Sequence, residues 1–206
     1  MREFFVYTKL LDMFMKRIKH LRRFLFPISL LCCTTLFSIV LTSNPATVFA
    51  GITQFTDDFE RSNIWDWSFT GGAGSDYGKN LAHRGQGNLW VRNTTGWNAV
   101  NKELSPSAPT GSLCTAQAWL RTSETLTDGY MSVRQTNSDG SVGNVIKELK
   151  LGASPVNSDN KNYNFYTFDF YRPVSNSILF YVGLWGNGQD SWIQIDDVAI
   201  SCRTPY

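Results

Sequence analysis

Two adjacent carboxylates, Asp196 and Asp197, interrupt the strand-like run from Trp192 to Ser201, in which apolar residues otherwise alternate. Burying an ionised carboxylate costs several kcal/mol unless a cation or a donor compensates. The pair points either to a hard cation such as Ca²⁺ or to a solvated strand end with a bulge, and the residues alone leave both open. A second chemistry is aromatic. All seven tryptophans (Trp65, Trp67, Trp90, Trp97, Trp119, Trp185 and Trp192) lie after residue 50. A core of this size uses roughly two or three of them, so the remainder are expected on display for a partner. An indole face takes the apolar C–H face of a sugar, and flanking Arg, Gln and Asn bond its hydroxyls.

Catalytic chemistry is poorly provided for. Glycoside hydrolysis needs two carboxylates facing across a cleft, and Glu60, Glu103, Glu124 and Glu148 occupy no recognisable setting. Glu103 and Glu148 adjoin Lys102 and Lys147 and read as strand-surface charges. His83 is the single histidine after residue 50, and no Gly-x-Ser-x-Gly elbow accompanies it. The residues therefore favour binding without catalysis. A glycoside hydrolase or polysaccharide lyase on a jelly roll is the alternative, as is a surface adhesion or protein-interaction domain.

The first fifty residues read as a secretory signal rather than as fold. A basic stretch, Lys16 to Arg23, precedes the apolar run Phe24–Leu41, and Val48-Phe49-Ala50 offers a cleavage site near Ala50. Met13 and Met15 are alternative starts to Met1. The domain is expected over 51–206, secreted, monomeric and free of the membrane after cleavage. The leader holds seven Lys/Arg and two Asp/Glu, so the remaining chain has twelve basic and fifteen acidic side chains, a net charge of −3. Nucleic acid and other polyanions thus find no electrostatic footprint. The two cysteines left, Cys114 and Cys202, read as one disulfide in an oxidising compartment.

These residues need strands to position them. No amphipathic helix follows residue 50. Short runs rich in β-branched and aromatic residues recur instead, broken by Gly, Asn, Asp, Ser and Pro. The fold class is all-β, an antiparallel β-sandwich or jelly roll. Strands are expected at Thr53–Phe59, Trp65–Phe69, Asn88–Arg92, Ala99–Leu104, Leu113–Thr122, Gly129–Gln135, Val145–Leu151, Asn164–Tyr171, Ser177–Trp185 and Trp192–Ser201. Turns are expected at Asn137–Ser141 and Gly186–Asp190. Period-two sorting gives each strand an aliphatic side and a mixed aromatic, amide and guanidinium side: Ala116, Ala118 and Leu120 against Gln117, Trp119 and Arg121; Met131 and Val133 against Tyr130 and Arg134; Phe180, Val182 and Leu184 against Tyr181 and Trp185.

In order and spacing, five segments resemble the secreted carbohydrate-binding modules with a galactose-binding-like β-jelly roll, the group around module families 4, 9, 16 and 22. They are Asp58-Phe59-Glu60 with Trp65, His83 to Val91, Trp97 to Val100 (resembling a short turn before a strand), Thr115 to Arg121, and Ile195-Asp196-Asp197-Val198. The resemblance implies polysaccharide binding. It also implies a structural Ca²⁺ where the first and last strands meet, held by Glu60, Asp197 and Asp196 with carbonyls near Asp58 and Gly85. Its sugar contacts fall on Trp97 as the loop candidate and on Trp119, Arg121, Tyr130 and Arg134 as sheet candidates, followed by Trp185 and Tyr77. Such modules are commonly joined to a glycoside hydrolase, and no catalytic domain is read in this chain.

Overall fold

The computed structural model describes residues 52–154, 162–173 and 177–203. The reading of residues 1–50 as a leader lies outside them. Among the described residues nine antiparallel strands follow one another: β1 (Ile52–Asp57), β2 (Ser68–Phe69), β3 (Ala73–Ser75), β4 (Leu89–Leu104), β5 (Leu113–Thr122), β6 (Asp128–Thr136), β7 (Val142–Leu151), β8 (Asn164–Tyr171) and β9 (Ile178–Arg203). The β5 and β8 bounds match those expected from the sequence. The Asn137–Ser141 turn closes the β6–β7 hairpin, with Gly140 at φ 81° donating its N–H to the Asn137 carbonyl at 3.0 Å.

Two expectations are corrected. The pairs Asn88–Arg92 with Ala99–Leu104, and Ser177–Trp185 with Trp192–Ser201, are each one continuous strand, β4 and β9. The stretches between them, including Gly186–Asp190 and the supposed turn around Trp97, are bends within strands. The two strands pair along nearly their whole length, and the polar residues Asn93, Thr95, Asn187 and Ser191 find ladder partners instead of turning away. Three residues of β9 oppose one of β4 between Asn93 and Thr95, a bulge that swings both strands into a second layer.

The first layer runs β2, the later half of β4, the early half of β9, β6 and β7. The second runs β3 and β1, the early half of β4, the later half of β9, β5 and β8. Alternation aims Met131, Val133, Phe180, Val182 and Leu184 from the first layer at Ala116, Ala118, Leu120, Ile193, Ile195 and Ile200 from the second, all fully buried. Cys114 and Cys202 form a disulfide beside this core, joining cross-strand partners of β5 and β9.

Trp67 is the tryptophan given to the core, 3% exposed, and its indole N–H donates to Asp57 Oδ2 at 2.8 Å. Asp57 also accepts from the Phe59 amide and from both Arg61 guanidinium nitrogens. Four donors offset the cost of burying that carboxylate at the end of β1.

Candidate functional site

The outer face of the first layer gathers four of the residues expected to touch sugar. Trp97 on β4 and Trp185 on β9 are direct cross-strand partners, with Asp128 of β6 beyond Trp185. Trp185 is 51% exposed. One pair along the strands, Gly183 lies between Ala99 and Tyr130, and the Trp97 ring covers it. A Cβ at Gly183 would come 2.5 Å from Trp97 Cζ2, which is why a glycine stands in the middle of this strand. Trp97 Nε1 donates to the Tyr181 hydroxyl at 2.8 Å, and the two ring planes lie within 10° of parallel. Tyr130 tilts against Trp97 at a centroid distance of 6.2 Å.

Charged groups frame the rings. The Arg134 guanidinium sits 4.7 Å over Tyr181 and reaches Glu148 at 3.3 Å. Lys150 lies 5.9 Å from the Tyr130 ring and pairs with Asp128 at 3.3 Å. The hydrogen bond from Tyr130, with Lys150 beside it, holds the Asp128 carboxyl below its ordinary range. Tyr181 is itself buried under Arg134 and serves to hold Trp97; the part-exposed Trp97, Tyr130 and Trp185 rings, with fixed donors and acceptors alongside, can hold a ring-shaped polyol against the sheet. Tyr181 was not among the expected contacts. Its signal in the sequence was Gly183: a glycine inside an aromatic-flanked strand marks the close approach of a ring.

The remaining expected contacts lie elsewhere. Trp119 and Arg121 point from β5 to the outer face of the second layer. Alternation sorted inward from outward correctly, but it cannot say which of two layers a strand joins. The segment between β3 and β4 covers this second face. The His83 ring stacks on Trp119 at 3.9 Å, and Phe165 closes the other flank at 5.3 Å. Arg121 is 5% exposed and sits 5.0 Å over Trp192. Tyr77, 40% exposed, stands on the covering segment at the second layer's edge.

The carboxylate pair belongs to this covered face. Asp197 has φ 46° and occupies a bulge where Asp197 and Val198 oppose Ala118 alone. Aspartate tolerates this left-handed conformation better than most residues. The bulge agrees with one of the two sequence alternatives, but the strand does not end there and Asp196 is fully buried. Asp196 Oδ2 accepts the amides of His83 (2.8 Å) and Arg84 (3.2 Å), and Oδ1 accepts that of Asp197 (2.8 Å). Burial outweighs these donors and pushes its carboxyl up to about 7. Asp197 Oδ2 meets His83 Nδ1 at 2.7 Å.

Among the described residues, His83, Asp196 and Asp197 form a group close enough to share an ion. Glu60 is not in it; its carboxylate takes the amides of Gln86 at 2.8 Å and Gly87 at 3.2 Å. A calcium site wants six to eight oxygens with free lone pairs. The oxygens of Glu60 and Asp196 instead face N–H groups, whose positive ends repel a cation. As arranged, the three carboxylates do not fit a shared calcium ion.

No family model and no curated protein matches this sequence. Solved structures do. The CBM22-1 xylan-binding domain of Paenibacillus barcinonensis Xyn10C aligns with a TM-score of 0.55 at 14% identity, over 76% of this chain and 98% of that domain. TmCBM61, solved in complex with β-1,4-galactotriose, aligns with a TM-score of 0.53 at 15% identity, over 69% of this chain and 92% of its own. A cleaved adhesin domain of Lys-gingipain from Porphyromonas gingivalis gives 0.52 at 14% identity, over 76% of this chain and all of that domain. The likeness establishes the fold: an antiparallel β-sandwich, the galactose-binding-like jelly roll.

Proposed function

We propose that this protein binds a polysaccharide, without modifying it, along the outer face of the first layer. The observation that carries the reading is the cluster of Trp97, Tyr130 and half-exposed Trp185, with Trp97 fixed in place by buried Tyr181 and the face bordered by the Arg134–Glu148 pair. Sugar rings stack on the exposed aromatics, while Arg134 and Glu148 bond hydroxyls. The xylan-binding and galactotriose-bound neighbours support a β-1,4-linked glycan as the first substrate class to try. Retention without cleavage agrees with the state of two carboxylates, Asp128 and Asp196. A general acid needs a raised pKa, whereas Asp128 on this face is held low, and Asp196, which is raised, is capped by amides on the other layer.

Export from the cytoplasm completes the reading. The Cys114–Cys202 bridge supports an oxidising compartment, and the basic and apolar leader supports secretion. A second reading, adhesion to protein, is favoured by one feature: Trp65, 89% exposed, and Phe69, 52% exposed, line a shallow cavity of about 240 Å³ outside the glycan face.

Affinity electrophoresis through gels containing β-1,4-xylan, β-1,4-galactan or mixed-linkage β-glucan tests the proposal. Retardation is expected in at least one gel, with no release of reducing sugar. Trp97→Ala should abolish it while the melting midpoint holds. Free migration in all three gels would leave protein adhesion as the better reading.

A further inference from the structure

The outer face of the second layer carries a cavity of about 360 Å³, separate from the Trp97 face, whose walls include Asp76, Lys79, Trp90, Arg121, Trp192 and Gln194. Two indoles are positioned on it. Trp90 lies across Gly74 of β3, where a Cβ would come 2.6 Å from Trp90 Cζ2, repeating in this layer the ring-over-glycine arrangement of Trp97 and Gly183. Trp192 carries the Arg121 guanidinium over its ring.

Gln194 supplies an independent sign of a ligand. It is 7% exposed, and its Nε2 donates to Asp76 Oδ2 at 3.0 Å, which fixes which way the amide points. Its Oε1 is buried and has no hydrogen-bond partner among the described residues. A buried acceptor left in this state is costly and calls for a donor. Asp76 also holds Lys79 at 3.0 Å, so acceptors and cationic donors face the same space.

This mixture selects the ligand class. An anion would meet the Asp76 carboxylate and the bare amide oxygen, and a cation would meet Lys79 and Arg121. Hydroxyl groups both donate and accept, and indole faces take apolar ring faces. We infer that the cavity is a second carbohydrate site, taking a neutral sugar unit end-on, with Gln194 Oε1 accepting a sugar hydroxyl and Trp90 packing on its ring. Its volume is at the small end of ligand pockets and suits a terminal residue rather than a running chain. It stands independently of the polysaccharide face.

The test titrates the protein with D-galactose, D-xylose, D-glucose and methyl α-D-mannoside, reading the indole N–H signals by two-dimensional NMR. At least one sugar should shift Trp90 and Trp192 saturably. Gln194→Leu should weaken that response tenfold or more while retention in polysaccharide gels stays at the parent level. The inference is overturned if no sugar shifts Trp90 or Trp192, if the shifts fall on Trp97 alone, or if Gln194→Leu responds like the parent. The parent spectra decide the matter even if the variant fails to fold. Loss of gel retention with the Trp90 response intact would count against the polysaccharide face only.

Discussion

The two outer faces of the sandwich draw on the same residue types and put them to different uses. On the first, Trp97, Tyr130, Tyr181 and Trp185 meet Arg134 over a sheet that no segment crosses among the described residues. On the second, Trp119 is sandwiched between His83 and Phe165, and Asp196 is sealed by the amides of His83 and Arg84. The segment between β3 and β4 makes the difference. Where it lies down, aromatic and charged side chains become packing and clamp, leaving a small cavity around Trp90. Where it is absent, Trp97, Tyr130 and Trp185 stay open to a partner above a buried Tyr181. An aromatic ring on a strand therefore says little about binding until what lies over it is known.

The largest expected effect starts from a bond in the second layer and acts on the whole domain. Replacing Cys114 and Cys202 by serine opens a connection spanning 88 residues, which the loop-entropy model values at about 4–5 kcal/mol. The melting midpoint should fall accordingly under non-reducing conditions, and an unchanged midpoint would remove the bridge from the stability of the domain. Next, Gly183→Val forces the Trp97 ring off its seat, since even a Cβ has 2.5 Å to that ring. Loss of one well-packed aromatic anchor is worth about 2 kcal/mol, close to 30-fold in affinity. Unchanged glycan retention would remove Trp97 from the site. Trp119→Ala should do the reverse, lowering stability by about 1–3 kcal/mol with glycan retention intact, and a drop in retention would erase the contrast between the faces.

Smaller effects follow from Asp196. Its native carboxyl titrates near 7 against an ordinary value of 3.8, so the folded state binds the extra proton between those limits. Stability should fall as pH rises from about 4 to about 7, then level off. Melting curves at pH 5 and pH 8 should therefore differ in the parent and converge in Asp196→Asn, while glycan retention is steady throughout. Smallest of all, EDTA should leave the melting midpoint in place, because Glu60 and Asp196 are satisfied by amides. A fall that calcium reverses would restore the metal to this junction.

Much of the fold was legible in the residues. Alternation identified the inward faces of β5, β6 and β9, because apolar burial fixes which side of a pleated strand meets the core. Asn137-Ser138-Asp139-Gly140 announced its hairpin, since glycine alone enters φ 81° without strain. The site was half legible. Trp97, Tyr130, Arg134 and Trp185 do converge, but Trp119 and Arg121 share their pattern and end on the opposite layer. Glycine-rich, polar Gly186–Asp190 looked like a turn and is instead the bend of a continuous strand, held by pairing with β4 that is distant in sequence.

Composition and period alone therefore determined that this chain forms strands, which side of each is apolar, that its two later cysteines pair, and that more indole is present than a core can absorb. Each follows from local chemistry: pleat, turn geometry and transfer out of water. Which layer a strand joins, which rings a passing segment covers, and whether adjacent aspartates meet amides or a cation were decided only in three dimensions. Those outcomes depend on contacts between residues far apart in the chain, such as His83 with Asp196, whose sequence separation of 113 no local pattern encodes.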